Sequence, residues 1–256
     1  MPELEQVRAM RDRLVQQGEA RLAQPPSIVD FTGNKAADVL LNDLSRYPHA
    51  FLMACIMDRQ ITAERAWLIP YELRRRLGSF DFRVLSELPP DKIKAAMKNP
   101  RPLHRFPDAM AVSLHAALQR VRASYCGDAS LIWAQRPSSA AIVRRFLEFQ
   151  GVGPKIATMA ANILVRDFRV PVSDRYSIGI SVDVHVQRLF TRLGFVEEQA
   201  SAEILIYRAR ELNPEYPRIF DLALWELGRT ICRSTEPRCS ECYLSDLCPH
   251  HSAAIA

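Results

Sequence analysis

Apolar residues recur at intervals of three and four positions along most of this chain, with polar residues between them. Within residues 184–193, for example, they occupy positions i, i+3, i+4 and i+7, which lie on one face of a helix. No run of alternating apolar and polar residues stands between hairpin turn signals, so the pattern predicts an all-α fold. The predicted helices span Glu3–Ala23, Ala36–Leu44, Ala50–Met57, Thr62–Leu77, Pro107–Ala123, Ser139–Phe149, Pro154–Arg166, Val184–Leu193, Ala200–Leu212 and Ile219–Arg229.

Several residue types mark where these helices begin and where the regular pattern stops. Ser139 and Asp183 are good N-cap residues, and Pro154 suits a first helical position because it needs no backbone donor there. Two stretches lack helical periodicity: residues 98–107 contain three prolines, and residues 170–181 mix Pro, Ser, Gly and Asp. We expect both stretches to be loops between helices.

Composition and length indicate a globular protein without a membrane span. The chain has 256 residues, of which 48% are hydrophobic and 25% charged, enough to bury a substantial core. Its most apolar stretch, residues 156–165, is half the ~20 residues that a membrane span needs. Acidic residues stand at the N-terminus where a secretory signal would be basic, so we expect a cytoplasmic protein, nucleoid-associated if bacterial.

The charge balance is mildly basic. The 34 basic residues exceed the 29 acidic ones, which gives a formal net charge of +5. Such an excess is compatible with nucleic-acid binding if the arginines gather on one face, but it is also compatible with simple solubility. Charge alone leaves both interpretations open.

The six cysteines fall into two classes. Cys55 and Cys126 stand alone and are predicted to be small packing residues. The other four crowd into 17 residues with the spacing C-x6-C-x2-C-x5-C: Cys232, Cys239, Cys242 and Cys248. Without a secretory signal, this cluster predicts a metal site rather than disulfides. Four thiolates suit zinc or an iron–sulfur cluster, although structural zinc usually has two closely spaced ligand pairs and this spacing contains only one.

A glycine-rich turn separates two predicted helices at residues 149–157. Gly151 and Gly153 flank Val152, and Pro154 opens the following helix. Free backbone N–H groups at such a positive helix end can bind a phosphate, so these three turn residues are candidates for DNA contact. A plain corner between helices would have the same composition, and Lys155 could be a solvated or phosphate-contacting residue.

A second candidate lies in residues 181–188, where Asp183 precedes a helix. Its carboxylate is placed to accept hydrogen bonds from the backbone of His185 or Val186, which stabilises a helix by ~1 kcal/mol. A carboxylate held rigidly at this position can also stabilise a developing cation. Capping alone would explain the residue equally well, and His185 is expected to be structural.

These features, in this order along the chain, resemble the endonuclease III family of helix-hairpin-helix DNA glycosylases. Lys155 stands where bifunctional members carry their catalytic lysine, and Asp183 matches the second catalytic residue in the family's Val-Asp-x-His stretch. The cysteine spacing matches the family's C-terminal 4Fe–4S loop at every interval. The resemblance covers residues 36–249 and therefore implies that the four cysteines hold a 4Fe–4S cluster.

The resemblance also implies a two-lobed architecture. A helical barrel domain is expected at residues 41–174, with the helix-hairpin-helix motif at about 139–166. Residues 1–40 and 175–256 would form an iron–sulfur cluster domain, with the cluster loop at 232–248 and a DNA-binding cleft between the lobes. Gln60 is similar to the glutamine that fills the gap left by an extruded base, and Leu103 is a candidate wedge entering the duplex from the other side; a surface role for Gln60 and core anchoring for Leu103 are the alternatives.

The implied function is base excision from double-stranded DNA by a monomeric bifunctional glycosylase and abasic-site lyase. Lys155 would form a Schiff base that permits β-elimination, and the base would be an oxidised or altered pyrimidine. Phe149-Gln150 replaces the family's usual Leu-Pro, and residues 170–181 look like an insertion. The identity of the excised base is therefore left open. The alternatives are a monofunctional glycosylase on another base and a non-catalytic iron–sulfur DNA-binding module.

Overall fold

The computed structural model of the protein describes residues 2–25 and 27–255, and that part of the chain contains helices and loops but no strand. The all-α prediction is confirmed. None of the helices described is long and apolar enough to cross a membrane. The α-helices are α1 (Leu4–Leu22), α2 (Lys35–Asn42), α3 (Pro48–Met57), α4 (Ala63–Leu77), α5 (Phe82–Glu87), α6 (Pro90–Lys98), α7 (Pro107–Ser124), α8 (Ser139–Leu147), α9 (Pro154–Arg166), α10 (Val184–Arg192), α11 (Ala202–Leu212), α12 (Phe220–Thr230) and α13 (Pro249–Ile255).

Three of these helices, α5, α6 and α13, were not predicted from the sequence. Helix α5 has six residues, too few for the apolar repeat to appear twice, and is capped by the Asp81 side chain. Helix α6 begins at Pro90, and α13 begins at Pro249, directly after the last cysteine of the loop. The N-cap of α8 is Ser138, one residue before the predicted Ser139, whereas the N-cap Asp183 is confirmed.

The chain divides into a central unit, Pro26–Ser173, and a terminal unit formed by Met1–Pro25 and Asp174–Ala256. The first domain boundary was expected near residue 40, whereas the central unit of the structure begins at Pro26. The reason is that Phe31 stacks on Trp67 with ring centroids 4.1 Å apart, which attaches the segment before α2 to the central unit. The Asn42 side chain also accepts a hydrogen bond from the N–H of Val29 and donates one to its carbonyl.

Helix α3 is the core of the central unit. All ten of its residues are buried, which explains why its sequence is apolar on every side. Phe51 lies at its centre, and its ring meets four other aromatic rings edge-on: Trp67, Trp133, Phe146 and Phe168. This packing places the C-terminal end of α3, and the turn that follows it, in a defined position.

A buried histidine in the first turn of α3 makes the stability of the fold depend on pH. His49 Nε2 lies 3.0 Å from the carbonyl oxygen of Phe80, and burial lowers the pKa of its ring below the ordinary 6.5. The unfolded chain therefore takes up a proton first as the pH falls. We expect the free energy of unfolding to decrease below pH 6.5, and to decrease less steeply in His49→Gln, as measured by chemical denaturation. An unchanged pH dependence in the variant would contradict this assignment.

In the terminal unit, α1 packs on α12 and also holds the cysteine loop. Gly18 permits the close approach, since a Cβ there would lie 2.4 Å from the carbonyl oxygen of Ile219. Earlier on the same helix, the Arg13 guanidinium binds both carboxylate oxygens of Asp246 at 2.6 and 2.7 Å. This pair lowers the pKa of Asp246 and joins the first helix to the loop.

Candidate active site

The predicted hairpin lies between α8 and α9. Gly151 has φ +86°, a conformation that favours glycine, and a Cβ there would stand 2.7 Å from Nη1 of Arg59. Gly153 is extended instead and caps α9, with open space around its missing side chain. Val152 is buried and its N–H bonds to the carbonyl of Phe149, so it anchors the turn rather than offering its side chain to a ligand.

Lys155 is the second residue of α9 and is exposed. Its backbone N–H belongs to the first turn of the helix, where donors have no partner within the helix and can meet an anion. The predicted nucleophile is therefore accessible and stands beside a potential phosphate site. A Cβ at Gly153 would meet no atom within 4 Å, so a DNA backbone has room to approach this turn closely.

The turn that follows α3 lies directly against the hairpin. Arg59 Nη1 donates to the carbonyl of Gly151 at 3.1 Å, although the two residues are 92 positions apart. Gln60, the next residue, is exposed and has φ +56°. The structure thus brings the predicted gap-filling glutamine to the same region as the glycine turn, while its role with DNA stays a prediction.

The proline-rich loop reaches the same region but does not present Leu103 as expected. Leu103 is only 8% exposed, its N–H bonds to Met97, and its carbonyl accepts from Arg65 Nε at 3.0 Å. A wedge has to protrude, so the conformation described does not favour that role for Leu103. The neighbouring His104 is buried and its Nε2 lies 3.0 Å from the carbonyl oxygen of Arg59, which ties the loop to the turn after α3.

Asp183 occupies the N-cap of α10 in the terminal unit. One of its oxygens, Oδ1, accepts from the N–H groups of His185 and Val186, both at 2.9 Å. The residue is exposed, and Oδ2 makes no hydrogen bond with any part of the chain that the structure describes. The carboxylate is thus rigidly held with one oxygen left for a ligand. His185 packs against Gly228, in keeping with a structural role.

A buried ion pair holds the segment that leads into Asp183. The Arg218 side chain donates to the carbonyl of Gly179 at 3.1 Å and to Ser181 Oγ at 2.5 Å, and its Nε lies 2.7 Å from Asp221. Asp221 in turn accepts from the N–H of Ser181 at 3.1 Å. The sequence did not indicate this pair, because its contacts are distant along the chain. Arg218 lies 39 residues from Gly179, and Asp221 lies 40 residues from Ser181.

Removing the guanidinium should therefore destabilise the terminal unit strongly. Arg218→Met removes a buried guanidinium that binds Gly179, Ser181 and the largely buried Asp221 carboxylate, and we expect the free energy of unfolding to fall by about 3 kcal/mol or more. Chemical denaturation measures this loss. Arg11→Met, which breaks a more exposed pair with Asp12, is the matched control and should cost about 1 kcal/mol or less. Equal losses of unfolding free energy in the two variants would show that the Arg218–Asp221 pair contributes no more to stability than the exposed pair.

The cysteine loop lines a cavity in the terminal unit. All four predicted thiols line this cavity, together with the apolar side chains of Leu189, Leu193, Ile231, Pro237 and Leu244 and the polar residues Arg192, Ser245, His250 and His251. Burial, followed by the neighbouring thiols, raises the pKa of Cys242 and Cys248. In the described residues, however, no three His, Cys, Asp or Glu side chains converge on a point that would hold one metal ion.

Four cysteine thiols around one cavity are a donor set that could hold either an iron–sulfur cluster or a zinc ion. Arg192 Nη1 also donates to Cys232 Sγ at 3.2 Å.

Helix α10 connects the aspartate to the cysteine loop. It begins after Asp183, and two arginines further along it bind the loop backbone: Arg188 Nε donates to the carbonyl of Cys232 at 2.9 Å, and Arg192 donates to Arg233 and Ser234. Ordering the loop should thus help to fix the helix that presents Asp183.

Residues 174–181, the latter part of the apparent insertion, pack on α11. The Arg210 guanidinium lies over the rings of Tyr176 and Tyr207, 5.4 and 5.0 Å from their centroids. The segment is thereby attached to the terminal unit and leads directly into the Asp183 region.

Comparison with known proteins decides the family. A family model described as "HhH-GPD superfamily base excision DNA repair protein" matches residues 53–215, more than half of the chain. The chain belongs to this superfamily. The resemblance drawn from the hairpin, the aspartate and the cysteine spacing is confirmed.

Curated relatives of the superfamily match shorter stretches. "Endonuclease III-like protein 1" of Gallus gallus is 31% identical over 109 residues, which are 42% of this chain and 36% of that protein. "Endonuclease III homolog 2, chloroplastic" of Arabidopsis thaliana is 28% identical over 120 residues, 42% of this chain and 27% of its own length. Endonuclease III of Thermotoga maritima is 29% identical over 106 residues, 41% and 45% of the two chains. The matched region thus spans about a quarter to a half of these relatives.

Two solved structures extend the similarity to nearly the whole chain. A trapped covalent intermediate of endonuclease III with DNA superposes with a TM-score of 0.58, at 17% identity and full coverage of both chains. A thermostable thymine-DNA glycosylase superposes with a TM-score of 0.59, at 19% identity over 95% of this chain and 97% of the other. These structures confirm that the chain has the helix-hairpin-helix glycosylase fold.

Proposed function

We propose that this protein is a bifunctional DNA glycosylase with abasic-site lyase activity, and that it excises an oxidised or otherwise altered pyrimidine from double-stranded DNA. The observation that carries the proposal is Lys155, an exposed lysine in the first turn of the helix that follows a glycine hairpin. Membership of the base excision repair superfamily and the endonuclease III relatives support it. The protein would act as a monomer in the cytoplasm.

In this mechanism the hairpin binds the DNA backbone while the target nucleotide leaves the stack. Flipping costs a few kcal/mol, and a damaged or mispaired base reduces that cost. Backbone N–H groups at the start of α9 would hold a phosphate, with Gly153 leaving room for it. Gln60, exposed beside the hairpin, would occupy the space that the base vacates.

The chemistry would then proceed through Lys155. Its neutral amine attacks C1′ of the sugar, the bond from C1′ to the base breaks, and the base leaves with the bonding electrons and a proton. The carboxylate of Asp183 stabilises the cationic sugar as this happens. The nitrogen lone pair then forms the Schiff base as the C1′–O4′ bond breaks, and O4′ takes up the second amine proton. Loss of a C2′ proton and departure of the 3′ phosphate by β-elimination nick the strand.

The cysteine loop would serve this site indirectly. Cys232, Cys239, Cys242 and Cys248 would hold a 4Fe–4S cluster, which orders a loop that has little core of its own. Through Arg188 and Arg192, the ordered loop supports the helix that begins after Asp183. Iron analysis and absorbance near 400 nm would test this assignment, which a colourless zinc protein would overturn.

Borohydride trapping tests the proposed lyase chemistry directly. The protein is incubated with duplex DNA that contains one abasic site, the Schiff base is reduced, and the cross-linked peptide is mapped. We expect a covalent complex joined through Lys155. If the DNA binds but no cross-link forms, the lyase is excluded, and release of free bases from damaged duplexes then separates a monofunctional glycosylase from a binding module.

A further inference from the structure

Helix α12 carries an exposed tryptophan with an arginine over its ring. Trp225 is 46% exposed, although tryptophan is highly buried on average and is enriched at interaction surfaces when it is not. Arg229 follows it by about one helical turn, and its Cζ lies 4.4 Å from the centroid of the tryptophan ring. The proposed mechanism gives neither residue a role.

Contacts on both sides of Asp183 fix the segment that carries it to α12. Two residues before Asp183, the N–H of Ser181 donates to Asp221 at 3.1 Å. Two residues after it, His185 lies against Gly228, where a Cβ would stand 2.7 Å from the Cβ of His185. The segment that presents the aspartate therefore packs on this helix.

The exposed pair borders these two contacts. Trp225 comes four residues after Asp221 and three before Gly228, spacings that make all three neighbours on the helix surface. Arg229 continues the row of residues four apart that begins at Asp221. The pair is thus on the strip of α12 next to the Asp183 segment, and all of these residues belong to the terminal unit.

The positive charge of Arg229 is not neutralised within the part of the chain that the structure describes. The two carboxylates of α12 are each paired with another arginine, Asp221 with Arg218 and Glu226 with Arg21, and neither is bound to Arg229. A guanidinium held over an indole face keeps the N–H groups at its edge available. Two of those groups match two oxygens of a phosphate.

We propose that Arg229 binds a backbone phosphate of the strand that carries the target nucleotide, and that Trp225 is the positioning residue that holds the guanidinium in place. The proposal rests on the proposed function, in which Asp183 faces the sugar of that nucleotide, and it deepens that function by assigning a DNA contact to α12. A strand whose sugar meets Asp183 brings a phosphate on either side of that sugar. Binding one of them would hold the sugar against the carboxylate.

The salt dependence of DNA binding tests the phosphate contact. Each phosphate that a protein neutralises adds about 0.9 to the slope of log affinity against log salt concentration. Fluorescence anisotropy with a duplex that contains one tetrahydrofuran abasic analogue gives this slope without any catalysis. We expect Arg229→Gln to bind about tenfold more weakly and to have a slope smaller by about 1. Arg8→Gln, which removes an exposed arginine of α1, is the matched control and should keep the wild-type slope.

Two further measurements test where the guanidinium is held. Trp225→Ala should weaken binding about threefold, and Trp225→Phe should restore most of the affinity because a phenyl ring still attracts the guanidinium. Neutral methylphosphonates then replace single phosphates of the target strand, one at a time. One replacement beside the abasic analogue should weaken binding by the wild type and leave the affinity of Arg229→Gln unchanged.

An unchanged salt slope in Arg229→Gln, or an equal response of this variant and the wild type to every methylphosphonate, would overturn the Arg229 contact. The lyase proposal would be unaffected, because trapping through Lys155 tests it separately. A wild-type protein that shows the arginine contact but never cross-links would instead overturn the lyase proposal and leave the Arg229 contact in place.

Discussion

Lys155→Ala is expected to abolish strand cleavage at abasic sites and the borohydride-trapped complex, with a loss of about 10³-fold or more. The reason is chemical, since no other group at the start of α9 offers an amine that can form a Schiff base. Lys155 is exposed and occupies a position where its truncation leaves no cavity. The measurement is denaturing electrophoresis of a duplex that carries one abasic site, with and without borohydride.

A matched control separates this chemistry from loss of charge. Lys92 is likewise exposed and lies in the first turn of α6, a helix that also begins with proline. Lys92→Ala removes one positive charge in the same kind of position and should leave trapping near the wild-type level. If Lys155→Ala still cross-links, the nucleophile lies elsewhere and the mechanism given above is wrong.

Asp183→Asn is expected to slow base release by about 10²–10³-fold, while DNA binding is nearly retained. The amide oxygen of asparagine can still accept from the N–H groups of His185 and Val186, so the cap and the helix should persist. What is lost is the negative charge that stabilises a cationic sugar. Single-turnover release of an altered pyrimidine from a duplex gives the rate, and a gel-shift titration gives the affinity.

Asp81→Asn serves as the control for this change. Asp81 caps α5 in the same manner, with Oδ1 accepting from the N–H groups two and three residues ahead. Its replacement removes an identical charge from an N-cap in the central unit and should leave base release unchanged. Equal slowing in both variants would assign the effect to net charge, and full activity of Asp183→Asn would remove Asp183 from the mechanism.

Only part of the proposed site could be predicted from the sequence, as the proline-rich loop illustrates. An apolar residue in a loop can protrude or fill a core, and the sequence does not distinguish the two; Leu103 is buried beneath contacts from Met97 and Arg65. Arg59 stands next to Gln60 in the sequence, but no local pattern connects it to Gly151, whose carbonyl it binds.

The sequence by itself determined the features that form within one helical turn or one short loop. The Asp183 cap joins residues two and three positions apart, and Pro154 starts α9 because its ring suits a first helical position. The four cysteines lie within 17 residues, so their spacing already defines the donor set. Such interactions need no knowledge of how the helices pack.

Tertiary structure alone decided which distant groups support these features. Arg59 meets Gly151 across 92 residues, and Arg218 reaches Gly179 across 39. These contacts require two helices to settle at a particular distance and angle, which the summed packing of many side chains sets, as around the buried α3. The hydrogen-bond partners follow from that packing.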